Sequence, residues 1–303
     1  AYLEAKRQNV KAIIITHAHY DHIGAIPYLL GRLGNPKIYT TRLTKEIILK
    51  RQGEFPKSVK PSIEPIEFGK VTSLSKYFCA EFFSVTHNIP DTIGLILHTP
   101  MGKIVHPGEF KFDHDKEGKP KDAELEKFEK IGNKGIHLLM LDSTNAEEPG
   151  YSLSERVVER TLEEIFRKSS GRIIVGTFAS LLDRIAEIIK IAQKLNRKVA
   201  ISGYSMYSNI QIARRLGYIK ASPESIIPVE EISKYHDNKL LILCTGAQGE
   251  PNASLMKIIN GEHRYLQIKQ GDTVVFSSSI VPGNERAVQN LKDNLARQGA
   301  KIF

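Results

Sequence analysis

The sequence predicts an α/β protein of two domains. Three observations carry that reading. A length of 303 residues is about twice that of a common single domain. The first half reads as strand-rich with mixed connections. From residue 149 onward strand and helix alternate, which implies right-handed crossovers on a parallel sheet. The expected domains are therefore 1–148 and 149–303.

In the first half, residues 11–16 are a β-branched run and predict a buried strand. A helix over 23–33 follows, closed by Gly34 at its C′ position. Strands are expected at 37–40, 78–85, 92–99 and 103–106, the last two joined by a turn at Pro100, Met101 and Gly102. Residues 113–135 are charged and contain Gly118 and Pro120, so they read as a solvated loop and surface helix. Residues 136–141 read as another buried strand, ending at Asp142.

In the second half, Ser152 and Glu155 form a capping box that opens a helix to residue 168. Strands follow at 172–176, 198–201, 240–244 and 273–277, alternating with helices at 181–195, 206–216, 252–259 and 284–298. Leu181, Ile185, Ile188, Ile189 and Ala192 share one helical face, as do Val288, Leu291 and Leu295.

Composition narrows the class. The chain is 41% hydrophobic and 25% charged, ordinary globular usage that excludes disorder and collagen-like repeats. No apolar run approaches the ~18 residues that span a bilayer, so no membrane partner is expected. The opening residues lack a secretory apolar region. Cys79 and Cys244 cannot build a disulfide framework and suit a reducing, cytoplasmic setting. The net charge of +9 fits an anionic partner such as nucleic acid, or a lysine-rich solubilising surface. No P-loop and no G-x-G-x-x-G occurs, which leaves nucleotide hydrolysis and hydride transfer unsupported. Residues 1–9 read as the tail of a helix and 299–303 as a strand just beginning, so the chain reads as cut at both ends.

The strongest signal is His17, His19, Asp21 and His22, directly after a strand. In extended backbone, residues i and i+2 point the same way, so His17 and His19 can reach one ion. A turn into the following helix can bring Asp21 and His22 to a second ion. Imidazole with carboxylate suits zinc. Two ions about 3.5–4 Å apart can clamp both oxygens of a displacement at phosphorus. His87 stands where the chain leaves a strand, a place where histidine serves either as a ligand or as a structural hydrogen-bonder. The histidines at 98, 106, 114, 137, 236 and 263 read as hydrogen-bonding or surface residues, with a supporting role open to His106.

Four loops fall at expected strand ends: 177–180, 202–205, 245–249 and 277–279. All are short and rich in Ser, Thr or Gly. In a parallel sheet they share one edge, where backbone N–H groups and helix dipoles favour phosphate. Ordinary βα turns select the same residue types.

The run from His17 to Leu30 resembles the ribonuclease J family, in the β-CASP branch of the metallo-β-lactamase superfamily. So do His87 to Asp91, His106 to Asp113, Asp142 to Asn145, Phe178 to Ser180, Thr245 to Pro251, Phe276 to Ser279 and Pro282 to Glu285, in the same order along the chain. The resemblance implies a partial metallo-β-lactamase αββα sandwich carrying an inserted β-CASP domain with a parallel, Rossmann-like sheet. It implies a zinc-dependent ribonuclease acting in RNA processing and decay, cutting internally and from the 5′ end. It implies that His17, His19 and His87 hold one zinc, that Asp21 and His22 hold another, and that Glu109 bridges them. Asp21, His22 and Asp142 would take catalytic roles as proton handlers or orienters. Phe178, Ala179, Ser180, Arg184, Ser205, Gln248 and Ser278 would contact RNA. The full-length protein would form a homo-oligomer.

The sequence departs from that family in places. Glu109 stands where the family has Asp, and Pro107 where it has Thr. Leu181 and Leu182 replace an Asn and a His, and Tyr204 replaces an Arg. Later histidine motifs of the family, one of which supplies a ligand to the second zinc, do not occur, so that site is expected to be incomplete in this chain. Two other readings compete: a hydrolase of the same superfamily acting on thioesters or lactams, and a catalytically impaired RNA-binding paralogue or fragment.

Overall fold

A computed structural model describes residues 1–112, 114, 122–144, 146–150 and 154–303. Gly118, Pro120, Asp113, Asn145 and the capping residue Ser152 lie outside the described residues. The chain forms two compact units, Ala1–Glu155 and Arg156–Phe303.

The first unit opens with one helical turn, α1 (Tyr2–Ala5), and a strand, β1 (Ala12–Ile14). The single helix expected over 23–33 is instead two turns, α2 (Tyr20–Ile23) and α3 (Ile26–Leu29). Pro27 explains the break. It lacks the N–H needed to continue the first turn, and it sits at the start of the second, where that N–H is not needed. Gly34, at φ 82°, ends the segment in the left-handed conformation. Strand β2 (Lys37–Thr40) runs parallel to β1 and to β3 (Ile63–Pro65), in the order β1-β2-β3. Between them lies α4 (Arg42–Gly53), which the sequence reading missed. Its buried residues Leu43, Thr44, Ile47 and Ile48 carry the helical spacing that marks it.

A second, five-stranded sheet holds β4 (Val71–Ser73), β5 (Cys79–Ser84), β6 (Ile93–Thr99), β7 (Gly102–His106) and β8 (Leu138–Leu139), in that order. It is antiparallel except between β7 and β8. Side chains alternate along β5. Ala80 and Phe82 pack with Tyr39 and Ile93, and with Ala12, Ile14 and Ile66 of the first sheet. Phe83 and Val85 join Ile96, Val105 and Ile131, the last from helix α5 (Asp122–Gly132). Two sheets packed face to face between helices give the expected αββα sandwich. The segment 136–141, expected as a buried strand, pairs only over Leu138–Leu139, and these are 47% and 55% exposed. Among the described residues no strand pairs on its far side.

The second unit follows the expected alternation closely. After α6 (Glu155–Lys168), which buries Leu162 and Phe166, come β9 (Ile173–Gly176), α7 (Leu182–Lys194), β10 (Lys198–Ser202), α8 (Tyr204–Arg215), β11 (Ile226–Ile227), β12 (Leu240–Cys244), α9 (Ser254–Ile259), β13 (Thr273–Phe276), α10 (Glu285–Arg297) and β14 (Lys301–Ile302). All six strands are parallel, in the order β11-β10-β12-β9-β13-β14. Ile173, Ile174 and Val175 of central β9 are fully buried, as a strand covered by helices on both faces requires. Among the described residues no helix is long and apolar enough to cross a membrane.

One buried ion pair anchors this sheet at the start of two neighbouring strands. Arg172 donates from Nε and Nη2 to the two carboxylate oxygens of Asp272, at 2.9 and 2.6 Å. Arg172 also donates to the Gln267 carbonyl, and Asp272 accepts the Lys269 N–H. Removing Asp272 leaves buried Arg172 with only the half-exposed Asp237, 3.9 Å from Nε, as counter-charge. Asp272→Ala should therefore cost about 3–5 kcal/mol, measured as a lower urea midpoint by circular dichroism. A loss under about 1 kcal/mol would show the pair to be dispensable.

In the first unit, a Cβ on Gly94 would lie 2.2 Å from Phe83 Cζ, its cross-strand neighbour. Gly94→Ala should destabilise the chain by about 1–3 kcal/mol through overpacking, read by the same denaturation.

Candidate metal centre and strand-end loops

The site in the first unit is assembled from strand ends. β1 stops at Ile14, and Thr16 then ties the chain to β6, its carbonyl accepting the Ile93 N–H at 3.0 Å. His17 follows and is fully buried. Its Nδ1 lies 3.0 Å from the Thr16 hydroxyl. A proton held on Nδ1 by that contact leaves Nε2 as the lone-pair atom. His19 precedes α2, and the turn of that helix carries Asp21 and His22.

His87 comes from the loop between β5 and β6. Glu109 comes from the segment after β7, where Gly108 has φ 69° and a Cβ would lie 3.2 Å from Thr16 Cγ2. Glycine at 108 thus lets the segment cross close to β1. Lys111 N–H donates to the Thr86 carbonyl at 2.8 Å, joining the Glu109 and His87 segments.

Two ligand sets result: His17, His19, His87 and Glu109, and Asp21, His22 and Glu109. In the first, His19 Nδ1 lies 3.0 Å from His17 Nε2 and 3.3 Å from His87 Nε2. Glu109 Oε2 lies 3.2 Å from His87 Nε2 and 3.6 Å from His17 Nε2. Zinc–nitrogen bonds of 2.0–2.1 Å at tetrahedral angles put ligand atoms about 3.3 Å apart. The donor set therefore fits one such ion. In the second set, Glu109 Oε1 accepts from His22 Nε2 at 2.8 Å, and Asp21 Oδ2 lies 3.5 Å from the same nitrogen. Glu109 thus turns one oxygen to each set.

Electrostatics favours ligand chemistry. Burial, and then the neighbouring His19, His22 and His87, push the His17 pKa down to about 2. Burial, His19, Lys111 and His22 take His87 down to about 4 against the opposing charge of Asp142. His19 is lowered chiefly by burial, opposed by Glu109 and Asp21. Neutral imidazoles present lone pairs, which is what a cation needs.

Other sequence-selected residues lie apart from the ligand sets. Asp142 accepts the Thr144 N–H at 2.9 Å, a local turn contact. His106 Nδ1 accepts the Gly108 N–H at 2.9 Å and so shapes the Glu109 loop. His98 pairs with Glu81. The sequence reading missed Thr16 and Lys111. Adjacency to His17 was the available signal for Thr16, and nothing local marked Lys111.

In the second unit the four Ser-, Thr- and Gly-rich loops do follow β9, β10, β12 and β13 at one edge of the sheet. They bond to one another. Thr177 Oγ1 donates to the Ser277 carbonyl, and Arg184 Nη1 donates to Ser277 Oγ at 3.1 Å. Asn209 Nδ2 donates to the Ala179 carbonyl at 3.0 Å. Gln248 is buried, donating to Ser278 Oγ and the Ser279 carbonyl while its Oε1 accepts the Val281 N–H. It clamps two loops together. Phe178 and Ser180 are half-buried and Ser205 is exposed.

Comparisons with known proteins agree with this division. Residues 1–133 match the metallo-β-lactamase superfamily model, and residues 170–295 match the model described as ribonuclease J, β-CASP domain. The whole chain is similar to ribonuclease J of Mycoplasma pneumoniae, at 40% identity over 302 residues and 52% of that relative's length. It is 41% identical over 305 residues to ribonuclease J of Synechocystis, covering all of this chain and 47% of the relative. It is 37% identical to ribonuclease J2 of Bacillus subtilis, covering all of this chain and 54% of the relative. The chain belongs to the ribonuclease J family.

The similarity runs across both units, while the chain spans about half the length of the curated relatives it matches. A crystal structure of a protein of unknown function from Enterococcus faecalis shares the fold, with a TM-score of 0.68 at 18% identity, covering 96% of this chain and 68% of that one. The metallo-β-lactamase match and the His/Glu cluster together make this a metal-binding fold.

The depressed imidazoles set a pH dependence. Unfolded histidine takes up a proton near pH 6.5. Folded His87 does so only near 4 and His17 near 2. Below 6.5 the unfolded state holds more protons, so stability falls with pH. The metal-stripped chain should show a urea midpoint that drops steadily from pH 7 to 4, and less steeply in His87→Asn. Equal slopes for the two proteins would contradict the assignment.

Proposed function

We propose that this chain is the metal-dependent nuclease core of a ribonuclease, hydrolysing RNA phosphodiester bonds internally, from the 5′ end, or both. The carrying observation is Glu109, whose two oxygens face two separate sets of ligand atoms. The similarity to ribonuclease J relatives and the β-CASP match support RNA as substrate.

In this reading His17, His19 and His87 hold one zinc, Asp21 and His22 hold a second, and Glu109 serves both. Such ions lower the pKa of a water and clamp the oxygens of an in-line displacement at phosphorus. The chain's own groups do the rest. Thr16 orients His17. His22 and Asp21, whose side chain is 76% exposed, stand at the open side of the cluster, where Asp21 can accept the proton of the attacking water. Asp142 orients through its charge on His87. Phe178, Ala179, Ser180, Arg184, Ser205, Gln248 and Ser278 form the RNA-contacting edge, and Gln248 also holds that edge in shape. The domains are assigned as 1–148 and 149–303, in a cytoplasmic protein whose full-length form is a homo-oligomer.

One observation favours a second reading, a catalytically impaired RNA-binding paralogue or fragment. Among the described residues the second ligand set has three side chains, fewer than the four of the first. Metal analysis and a cleavage assay separate the two. Two zinc ions per chain, with RNA cleavage lost by at least a hundredfold in His19→Ala and on EDTA treatment, supports the nuclease. One ion or none, with RNA binding that survives EDTA and no cleavage, supports the alternative. Turnover of a lactam or thioester would refute both.

A further inference from the structure

A cavity of about 710 Å³ lies in the second unit at the end of α8, and none of its lining residues is used by the proposed function. Its lining includes Gln211, Arg214, Arg215, Gly217, Lys220 and Ser222. Ligand pockets of this size are usually apolar with a few polar groups. This one carries three cations and no carboxylate.

The topology fixes where it sits. α8 leaves the C-terminal end of β10 and runs back, so Arg214 and Arg215 reach the opposite edge of the sheet. The following segment leads into β11, whose Ile226 pairs with Val199 at the start of β10. Lys198 at that start donates to the Glu224 carbonyl at 2.9 Å. The five residues of β10 separate the two edges by about 16 Å.

The surroundings make the cavity receptive to anions. A helix C-terminus is ordinarily negative. Here the backbone answers the last carbonyls: Tyr218 N–H donates to the Ala213 carbonyl and Gly217 N–H to the Arg214 carbonyl, with Gly217 at φ 84°. Glu224, in the segment that follows, is held by the Ser222 hydroxyl and its own backbone N–H, with Lys198 close by. Ser222 Oγ also accepts from Gln193 Nε2 at 3.2 Å. That acidic group is thus drawn into the local turn, while Arg214, Arg215, Lys220 and the Gln211 amide line the space. The Arg214 guanidinium fork beside the Lys220 ammonium is a donor set for phosphate oxygens.

We infer that this cavity is a second phosphate-binding site, which takes the backbone of an RNA strand at the sheet edge opposite the Ser-, Thr- and Gly-rich loops. The inference rests on the RNA reading above. A strand engaged at both edges would run around the second unit, and the remote contact would raise affinity without touching the reacting phosphate. The shared chemistry is a phosphate ester, so a free nucleotide is the other source to be separated.

The test is fluorescence anisotropy of a labelled single-stranded RNA in EDTA, with AMP and inorganic phosphate as competitors. Arg214→Ala/Lys220→Ala should weaken RNA binding about tenfold and reduce the salt slope by about 1.4, the value for two lost single-strand contacts. Lys220→Ala alone, at an exposed position, should show about half that change in slope. Arg214→Lys/Lys220→Arg should restore most of the affinity. A double variant with native circular dichroism, unchanged affinity and unchanged slope overturns the site and leaves the ribonuclease reading intact. An unmodified chain that binds no RNA overturns both. Displacement by AMP at concentrations where inorganic phosphate has no effect, abolished in the double variant, assigns the cavity to a free nucleotide and overturns the RNA strand as its occupant.

Discussion

The first unit is organised around a costly arrangement: four imidazoles with ring centroids 4.1–4.9 Å apart and a carboxylate among them. None of the buried rings can carry a proton easily, because burial and the neighbouring rings both oppose it. Such crowding is tolerable only where the framework over-determines it. Here the framework is the β1–β6 contact through Thr16, the cross-link from Lys111 to Thr86, and the left-handed Gly108. Two β-sheets meet so that their strand ends deliver His17, His87 and Glu109 to one point.

The second unit depends on a different constraint, the polarity of a parallel sheet. Every strand ends at the same edge, so the loops after β9, β10, β12 and β13 are neighbours by construction. Their polar side chains largely bond to each other, as Thr177 to Ser277 and Gln248 to Ser278 and Ser279 show. The edge is therefore a preorganised polar surface. At the other edge Arg172 and Asp272 lock adjacent strands, and the α8 terminus gathers basic residues. One sheet thus offers two chemically distinct rims.

Glu109 stands where the family resemblance implies Asp. An extra methylene relative to Asp extends the arm by roughly 1.5 Å. The loop is held by His106 and Gly108, yet the carboxylate still reaches both ligand sets, at 2.8 Å from His22 and 3.2 Å from His87. The longer side chain spans the gap between the sets.

Much of this was legible in the sequence because it rests on local periodicity. Alternation of β-branched runs with amphipathic faces gave the parallel sheet almost element by element, and β2 and β12 within their bounds. The spacing of His17, His19, Asp21 and His22 declared a metal-binding turn. Other features were not legible, for one physical reason: they depend on contacts between segments distant in the chain. Residues 136–141 are as apolar as a core strand, and only the sheet order makes them an exposed edge. Helix α4 is the exception: its periodic signal at Leu43, Ile47 and Ile48, and Thr41 before it, are local, and the sequence reading missed them. The bonds by which Gln248 ties its loop to Ser278, Ser279 and Val281 likewise join segments some thirty residues apart. The sequence by itself determined which residues can bind a cation and where strands and helices alternate, because both follow from side-chain chemistry at short range. Only the tertiary structure decided that His87 and Glu109 join His17, and that Arg214 and Lys220 line one cavity, because chain segments tens of residues apart meet only through packing.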